Sequence, residues 1–302
     1  MDNQSLTSNE RHVGGVPSAG RSQVDLHCHS VVSDGAYSPS QVVAMAAQAG
    51  VLHLALTDHD NLDGVAEAQA AAAQYGIEII PGIELSADGS GGREVHILGL
   101  YLDVTNQTLQ TELARLRRGR DGRAQAMVEK LGELGMPLSY ERVLEIAGSG
   151  SVGRPHIARA MLERGYVQSN NEAFDRFLGD NGPAHVERAK LSPEASVALI
   201  HQAGGVASFA HPIYTPAFDQ MIDELAAVGL DAVEAYYGKY TSDAHDNILR
   251  LTLKKGLIPT GGSDFHGQPT MNDTPIGGVF VPLETITRLQ AQAAKYRTTL
   301  TS

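Results

Sequence analysis

The hexapeptide DLHCHS, residues 25–30, lies in a segment predicted to form a short strand, 24–29. Side chains alternate between the two faces of a strand, so His27 and His29 are expected on one face and Cys28 on the other. A single HxH pattern is weak support for a metal site, because it also occurs for structural reasons. DLHCHS therefore indicates a metal site only if further ligands converge on it, and Cys28 is expected to pack in the core.

Similar clusters of His, Asp and Glu recur along the chain, and nearly every one of them ends a predicted strand. They are SDG at 33–35, TDHD at 57–60, PGIE at 81–84, VHILGL at 95–100, AHP at 210–212 and SDFH at 263–266. The carboxyl ends of parallel barrel strands share one face, so distant clusters would converge there. Asp264 and His266 lie on one side if the backbone stays extended. Imidazole and carboxylate ligands without thiolate suit Mn, Fe or Zn.

Predicted strands and helices alternate along most of the chain. Ser38 and Pro39 are typical of a helix start and Gly50 of a helix end, and an Ala-rich helix is predicted over about 64–75. The other predicted strands are 52–56, 77–80, 95–101, 231–236 and 257–262, with a further one in GVASFAHP from Gly205. This alternation predicts an α/β fold with a largely parallel, barrel-like sheet.

The stretch 103–190 interrupts this pattern. It lacks convincing strand signals and shows helical runs at about 109–118, 124–134, 140–147 and 155–164. It also carries 13 of the 23 Lys and Arg residues of the chain, against 12 Asp and Glu. Because strand and helix signals lie on both sides of it, we predict a helical insert subdomain within one barrel.

The overall composition excludes several classes of protein. With 302 residues, 42% of them hydrophobic, the chain can bury a large core, and it contains no apolar run long enough to span a membrane. A single cysteine rules out an intramolecular disulfide and favours the cytoplasm. Residues 1–22 are polar and rich in Gly and Ser, and they are expected to form a disordered tail. The net charge of −12 argues against a polyanionic partner, unless bound cations offset it.

The motifs DLHCHS, TDHD, PGIE, HILGL, AHP and SDFH resemble the successive motifs of the polymerase and histidinol phosphatase (PHP) superfamily of metal-dependent phosphoesterases. The resemblance covers about residues 24–280. It implies a distorted (β/α)7 barrel, assigned here to 23–102 and 191–302, with the helical insert subdomain at 103–190.

The resemblance also implies two or three divalent metal ions, with Mn expected and Fe or Zn as alternatives. Nine ligand positions of the family fall on His27, His29, Asp34, His59, Glu84, His96, His211, Asp264 and His266. One metal would take His27, His29, Glu84 and Asp264, a second Glu84, His96 and His211, and a third Asp34, His59 and His266. Asp34 could instead be a turn residue, because Ser-Asp-Gly is common in turns. Asp58 and Asp60 are expected to orient the His ligands.

The resemblance assigns the catalytic centre to Glu84, His211 and Asp264, with Glu84 bridging metals that hold an attacking hydroxide. The insert is similar to that of the nucleotide-directed branch, which dephosphorylates nucleoside 3′,5′-bisphosphates or trims 5′-phosphorylated RNA from its 5′ end. The run GRPHIAR, 153–159, resembles a phosphate-contacting stretch of that branch and points to Arg154 and His156.

A second basic group accompanies this run. It consists of Arg117, Arg118, Arg120 and Arg123. We predict Arg120 as a substrate-binding residue, because the planar guanidinium donates paired hydrogen bonds to phosphate. The alternative for each of the four is a solvated helix face.

Three functions remain open from the sequence. The main interpretation is a phosphatase or exoribonuclease that acts on a nucleotide and possibly on short 5′-phosphorylated RNA. The second is a histidinol phosphate phosphatase, against which the insert argues. The third is a noncatalytic metal-binding or nucleotide-binding PHP module, against which the intact ligand set argues. No membrane association and no obligate protein partner are expected.

Overall fold

The structure is a computed structural model, and it describes residues 22–89, 93–148, 152–179, 181–187, 190–267 and 273–300. The predicted tail therefore lies outside the described residues except for Ser22. Ser22 is buried, its N–H donates to the Gly277 carbonyl, and its hydroxyl accepts from the N–H of Val281. The ordered fold thus includes Ser22.

Seven strands form one sheet in which each strand pairs with the next along the chain. They are β1 (Val24–Asp25), β2 (His53–Leu56), β3 (Glu78–Gly89), β4 (Arg93–Leu100), β5 (Val206–Phe209), β6 (Ala232–Tyr237) and β7 (Ile258–Gly262). The N–H of Leu26 donates to the Gly261 carbonyl, and Cys28 forms a parallel bridge with Phe265. Because these contacts join the two ends of the sheet, the strands form a nearly closed barrel.

The barrel is less parallel than the sequence predicts. Four neighbouring pairs are parallel, but β4 runs antiparallel to both β3 and β5. No helix separates β3 from β4, and a parallel return needs a long crossover, so the chain turns back as a hairpin. The strand predicted at 77–80 consequently continues through the PGIE motif to Gly89.

Ten helices accompany the sheet among the described residues. They are α1 (Pro39–Ala49), α2 (Val65–Ala72), α3 (Gln107–Glu133), α4 (Tyr140–Ala147), α5 (Arg154–Glu163), α6 (Asn170–Ala173), α7 (Pro193–Gln202), α8 (Phe218–Ala227), α9 (Ser242–Lys254) and α10 (Glu284–Leu300). Helix α1 begins and ends as predicted, since the Ser38 hydroxyl accepts from the N–H of Gln41 and Gly50 is left-handed. None of these helices is both long and apolar enough to cross a membrane.

Cys28 packs in the core, as the alternation of side chains predicts. It is fully buried in an apolar cluster with residues of α1 and β2, such as Val42 and Leu54. Its thiol donates to the Ala55 carbonyl, with 3.1 Å between Sγ and the oxygen, and burial raises its pKa well above the usual value. Cys28 is therefore an inert packing residue in this fold.

Helix α3 connects the barrel with the segment between β4 and β5. The sequence predicts two helical runs there, but the structure has one helix of 27 residues that continues through Gly119 and Gly122. Leu109 and Leu116, near its start, belong to the barrel core. Its second half belongs to a separate apolar cluster made of Ala124, Met127, Val128, Leu131, Val143, Ala147, Val152, Ile157, Ala158, Ala160, Met161, Val167, Ala173, Leu178 and Ala184.

The closure between β7 and β1 depends on a glycine. A Cβ atom at Gly262 would lie 2.5 Å from the backbone nitrogen of His27 and 2.6 Å from its Cβ. The same Cβ would lie 2.9 Å from Asp25 Oδ1, and this carboxylate accepts from the N–H of Ser263 at 2.9 Å and of Gly277 at 2.9 Å. The two strands can therefore approach this closely only without a side chain at position 262.

We predict that Gly262→Ala lowers the free energy of unfolding by about 1–3 kcal/mol or more, because the added methyl group forces β1 and β7 apart. Gly122→Ala is the matched control, since a Cβ there meets nothing within 4 Å in the middle of α3. It should stabilise the protein by about 0.5–1 kcal/mol through helix propensity. Urea unfolding followed by circular dichroism measures both, and equal stabilities for Gly262→Ala and wild type would contradict the close-approach argument.

Candidate metal centre and phosphate pocket

The predicted site residues come from six of the seven strands and the loops that follow them. His27 and His29 follow β1, His59 follows β2, His211 follows β5, and Asp264 and His266 follow β7, whereas Glu84 lies inside β3 and His96 inside β4. The expectation that PGIE ends its strand is thus wrong, because β3 continues to Gly89, whereas VHILGL lies inside β4 as it lies inside the predicted strand 95–101. The reason is the long β3–β4 hairpin.

The register of this hairpin still directs its polar side chains to one face. His96 pairs with Ser86, which is two residues beyond Glu84, and Glu94 pairs with Asp88. Cross-strand partners and alternate residues of a strand share a face. Glu84, His96 and Glu94 therefore point to the same side of the sheet.

Glu84 lies at the centre of the site, and its carboxylate is only 1% exposed. Five imidazole nitrogens surround it, all within 3.2 Å of its two oxygens. Oε1 contacts His96 Nδ1 at 2.8 Å and His211 Nε2 at 3.0 Å, and Oε2 contacts His27 Nε2, His29 Nε2 and His59 Nδ1, each at 3.2 Å.

Two aspartates complete the cluster. Asp264 Oδ1 lies 3.3 Å from Nε2 of both His27 and His29. Asp34 Oδ1 lies 3.5 Å from His266 Nε2, and Asp34 Oδ2 lies 3.8 Å from His59 Nε2. Asp34 thus faces the imidazoles.

Three groups of residues have ligand atoms within 4.8 Å of one another. They are His27, His29, Glu84 and Asp264; His59, Glu84 and His96; and His29, Asp34, His59 and His266. The first group has the members proposed for the first metal. The second contains His59 where the proposed partition has His211, and the third adds His29 to the proposed set. All nine predicted ligand positions converge on one face, and their role as ligands remains our proposal.

The backbone is strained at several of these positions. His211 and Asp264 have positive φ angles of 27° and 51°, and Asp60, next to His59, has one of 48°. The expectation of an extended backbone at Asp264 is therefore wrong, although Asp264 and His266 still face the same site. Left-handed conformations cost side-chain-bearing residues about 1–3 kcal/mol each and often occur at functional sites.

A buried glutamate that the sequence analysis did not single out supports the cluster from β6. Glu234 Oε1 lies 3.1 Å from His27 Nδ1, and Glu234 Oε2 accepts from the N–H of His211 at 2.7 Å. On the same strand, the Tyr237 hydroxyl donates to Asp264 Oδ2 at 2.8 Å. An acidic residue inside the apolar strand DAVEAY was the signal that could have identified Glu234.

The two aspartates of TDHD stabilise the loops around His59, as predicted. Asp58 accepts hydrogen bonds from the backbone and hydroxyl of Ser30 and from the Ser33 hydroxyl. Burial raises the Asp58 pKa despite these bonds. Asp60 accepts from the N–H of Ser86 and from the Arg120 guanidinium, at 2.9 Å from Nε.

The charges within the cluster perturb its imidazoles in opposite directions. Burial disfavours the charged form of His29 and His96, but the neighbouring carboxylates outweigh it and raise their pKa values to about 10 and about 9. For His59, burial dominates and lowers the pKa to about 3.

This donor set fits divalent cations. The buried Nδ1 of His59 has no hydrogen-bond partner among the described residues, although it lies 3.2 Å from Glu84 Oε2. Buried polar atoms are nearly always hydrogen-bonded or bound to a metal, so His59 Nδ1 is available as a ligand atom. The carboxylates and imidazoles of this cluster are more numerous than the four to six ligands that one ion uses.

A pocket opens beside the cluster, between the barrel and α5, with an empty volume of about 730 Å³ including its mouth. Asp34, His59 and His96 form its metal-centre wall. The remaining lining residues are Ser33, Ser86, Glu94, Arg120, Arg123, Ala124, Met127, Val152, Gly153, Arg154, Pro155, His156, Ile157 and Phe174. All three predicted substrate-binding residues therefore lie in one pocket.

Arg154 and His156 lie at the N-terminus of α5, where the helix dipole favours an anion. One guanidinium nitrogen of Arg154 lies 3.4 Å from Glu94 Oε2. His156 Nδ1 accepts from the N–H of Gly153, so the neutral ring carries its proton on Nε2. Burial lowers the His156 pKa and favours this neutral form.

The four arginines of the second basic group, all on α3, differ in their surroundings. Arg117 donates to Asn61 and Asp63, Arg123 donates to the Val186 carbonyl, and Arg120 binds Asp60, while Arg118 is exposed on the helix surface. The solvated-face alternative thus describes Arg118 best. Arg120 and Arg123 line the pocket.

The order of motifs and the geometry agree with comparisons to known proteins. Residues 25–121 match the model of the PHP domain family. A 5′-3′ exoribonuclease of Haemophilus influenzae is 37% identical over 246 residues, which is 80% of this chain and 89% of that protein. The chain belongs to the PHP domain family.

Two further relatives extend the comparison within the PHP family. A 3′,5′-nucleoside bisphosphate phosphatase of Chromobacterium violaceum is 34% identical over 80% of this chain and 87% of its own length. A crystal structure from Bifidobacterium adolescentis, assigned as a metal-dependent phosphoesterase, superposes with a TM-score of 0.82 and 27% identity over 92% of this chain and 98% of that one. This chain thus shares its barrel with a structure of that assignment, and it shares most of its length with an exoribonuclease and a bisphosphate phosphatase.

We predict that Glu234→Gln weakens metal binding about 10- to 100-fold, which is typical for loss of a partner that orients a histidine ligand. An amide has one acceptor oxygen and cannot accept from both His27 and the His211 N–H. Chelator competition followed by elemental analysis measures the affinity for Mn²⁺.

Glu224→Gln, on the exposed side of α8, is the matched control and should bind Mn²⁺ like wild type. Unfolding of the metal-free proteins checks that Glu234→Gln still folds. If Glu234→Gln folds and binds Mn²⁺ with wild-type affinity, Glu234 does not position the two histidines.

Proposed function

We propose that this protein is a metal-dependent phosphoesterase that removes the 3′-phosphate of nucleoside 3′,5′-bisphosphates and trims short 5′-phosphorylated RNA from its 5′ end. The observation that carries the proposal is that residues of the candidate metal centre and candidate phosphate-binding residues line the same pocket. Three members of the nine-residue cluster, Asp34, His59 and His96, line one side, and Arg154 and His156 at the N-terminus of α5 line the other. The names of two relatives, an exoribonuclease and a bisphosphate phosphatase, support both activities.

The nine clustered residues would hold two or three divalent cations, with Mn expected and Fe or Zn as alternatives. Such cations supply Lewis-acid activation of water and neutralise charge on the phosphoryl group. Glu84 is the carboxylate placed to bridge them, because both of its oxygens face imidazoles. Together with His211 and Asp264 it forms our proposed catalytic centre.

Both proposed reactions break the same bond. Water oxygen bonds to phosphorus, the bond from phosphorus to O3′ of the 5′-terminal nucleoside breaks, and a proton passes to O3′. A bisphosphate then releases inorganic phosphate, and an RNA releases a 5′-mononucleotide. In each case the 5′-phosphate of the first nucleoside is a second anion that the pocket must bind.

Arg154, His156 and Lys190 are suited to bind that second phosphate. Without substrate, the Glu94 carboxylate forms ion pairs with two of these side chains. Its oxygens lie 3.4 Å from an Arg154 guanidinium nitrogen and 3.0 Å from Lys190 Nζ. Burial raises the Glu94 pKa, but the hydrogen bond and charge of His96, followed by the charges of Lys190 and Arg154, hold this pKa well below its usual value. A substrate phosphate would compete with the Glu94 carboxylate for Arg154 and Lys190. Arg120, which is paired with Asp60, would hold the Asp60 loop beside the bound phosphate.

The proposed partners are a nucleotide and short RNA, and we infer a cytoplasmic location from the single buried cysteine. Histidinol phosphate is the rival substrate, and it has no second phosphate. A noncatalytic module is the other rival. Both are tested by the same set of substrates.

We predict that the purified protein contains at least two metal ions and, with Mn²⁺, hydrolyses adenosine 3′,5′-bisphosphate and a 5′-phosphorylated trinucleotide much faster than histidinol phosphate. Metal removal by a chelator should abolish turnover, and Glu84→Gln should do the same because it removes the shared carboxylate. Elemental analysis and phosphate or mononucleotide release measure these outcomes.

Faster turnover of histidinol phosphate would contradict the nucleotide assignment. Absence of turnover on every substrate at two or more ions per chain would favour the noncatalytic module. One ion or fewer at saturation would contradict the multinuclear centre.

We predict that Arg154→Ala lowers kcat/KM for the bisphosphate about 10- to 100-fold, because charge-assisted hydrogen bonds worth about 1.5–3 kcal/mol are lost. The loss should be much smaller for p-nitrophenyl phosphate, which has no second phosphate. Arg159→Ala is the control, since Arg159 lies on the same helix, is exposed and faces Glu163. Equal losses of Arg154→Ala on both substrates would show that Arg154 serves the metal centre or the fold.

A further inference from the structure

Beyond the pocket, the row of imidazoles continues into an exposed tyrosine. Ring centres are 5.2 Å apart between His59 and His96, 5.2 Å between His96 and His211, and 5.6 Å between His211 and Tyr214. His59 and His96 line the pocket. Tyr214 therefore lies past His211 in this row, and it is not among the residues that line the pocket.

The Tyr214 ring is held in place but open to solvent. It is 58% exposed, although its edge packs against Tyr237 with ring centres 6.1 Å apart. It belongs to a 3-10 turn, Pro212–Tyr214, that begins directly after His211. An exposed aromatic ring that packs against a second ring beside the metal centre offers a flat apolar face on which a ligand can stack.

The surroundings of this ring suit a nucleotide. Ile213 adds a second exposed apolar side chain, and the exposed Lys239 ammonium lies 5.9 Å above the Tyr237 ring. Stacking on an aromatic ring combined with a nearby cation is the usual way in which proteins bind single-stranded RNA without sequence preference. Stacking also works in a chain of net charge −12, where long-range attraction of RNA is weak.

The proposed reaction indicates which part of the substrate would lie against the Tyr214 ring. The scissile phosphate of an RNA has two ester arms, and the first nucleoside with its 5′-phosphate occupies the pocket. The second arm, from phosphorus to O5′ of the next nucleotide, must leave on another side. A nucleoside 3′,5′-bisphosphate has no such arm.

We propose that Tyr214 stacks on the base of the second nucleotide of 5′-phosphorylated RNA and thereby sets the preference of the enzyme for RNA over mononucleotides. This inference rests on the proposed function and adds the part of the substrate that lies beyond the cleaved bond. Tyr214 is a specificity-determining residue and contacts no reacting atom.

The test compares Tyr214→Ala with wild type on a 5′-phosphorylated trinucleotide and on adenosine 3′,5′-bisphosphate, both with Mn²⁺. The ratio of kcat/KM values, RNA over bisphosphate, should fall about 5- to 150-fold, which corresponds to one lost stacking contact. The change should lie mainly in KM, because stacking stabilises bound substrate and transition state alike. Tyr214→Phe keeps the ring and should keep the ratio.

Two controls isolate stacking. A trinucleotide whose second nucleotide is abasic should be a poorer substrate for wild type, and Tyr214→Ala should lower its kcat/KM no further relative to the bisphosphate. Tyr75→Ala removes a ring that is 49% exposed near the amino end of β3, and it should leave both rates unchanged.

An unchanged ratio in Tyr214→Ala, or an equal loss with the abasic and the intact trinucleotide, would overturn the inference while the proposed function stands. Hydrolysis of the bisphosphate without cleavage of RNA by wild type would overturn the inference together with the RNA half of the proposed function. Hydrolysis of neither substrate would overturn both completely.

Discussion

The site depends on one buried carboxylate that five imidazoles share. Glu84 has two oxygens, and the nitrogens around them come from β4 and from the loops after β1, β2 and β5. A carboxylate in the barrel interior is costly unless charges or hydrogen bonds compensate it. The histidines compensate only when the strands that carry them are held in register. The barrel and the site therefore constrain each other, and Gly262 and Glu234 act at the points where strands and ligands meet.

Much of the fold and most of the cluster could be predicted, because each motif occupies a short stretch whose local structure follows from the residues it contains. His27 and His29 alternate with Cys28 directly after β1, which is shorter than the predicted strand 24–29, and Asp264 and His266 follow β7. The β3–β4 hairpin could not be predicted as readily, since its long strand passes through Pro81 and Gly82, which usually end strands.

Local sequence patterns could not predict features that depend on residues far apart in the chain. Glu234 has its role because His27 and His211 approach it across the barrel, 207 and 23 residues away in sequence. The continuity of α3 through Gly119 and Gly122 has a similar origin. Two glycines predict a break, but packing of its two halves against two different apolar clusters stabilises the helix.

Because α3 is continuous, a change in its tilt at one end displaces its other end. A helix of 27 residues is about 40 Å long, and a tilt of about 5° at the barrel moves a point half a helix length away by roughly 2 Å. Arg120 lies near the middle of α3, and its guanidinium donates to Asp60 in the loop beside His59. Substitutions on the far half of α3 could thus reshape the pocket while the ligand cluster stays intact. The wall of the pocket that α3 and α5 supply can therefore change without any change in the nine clustered residues.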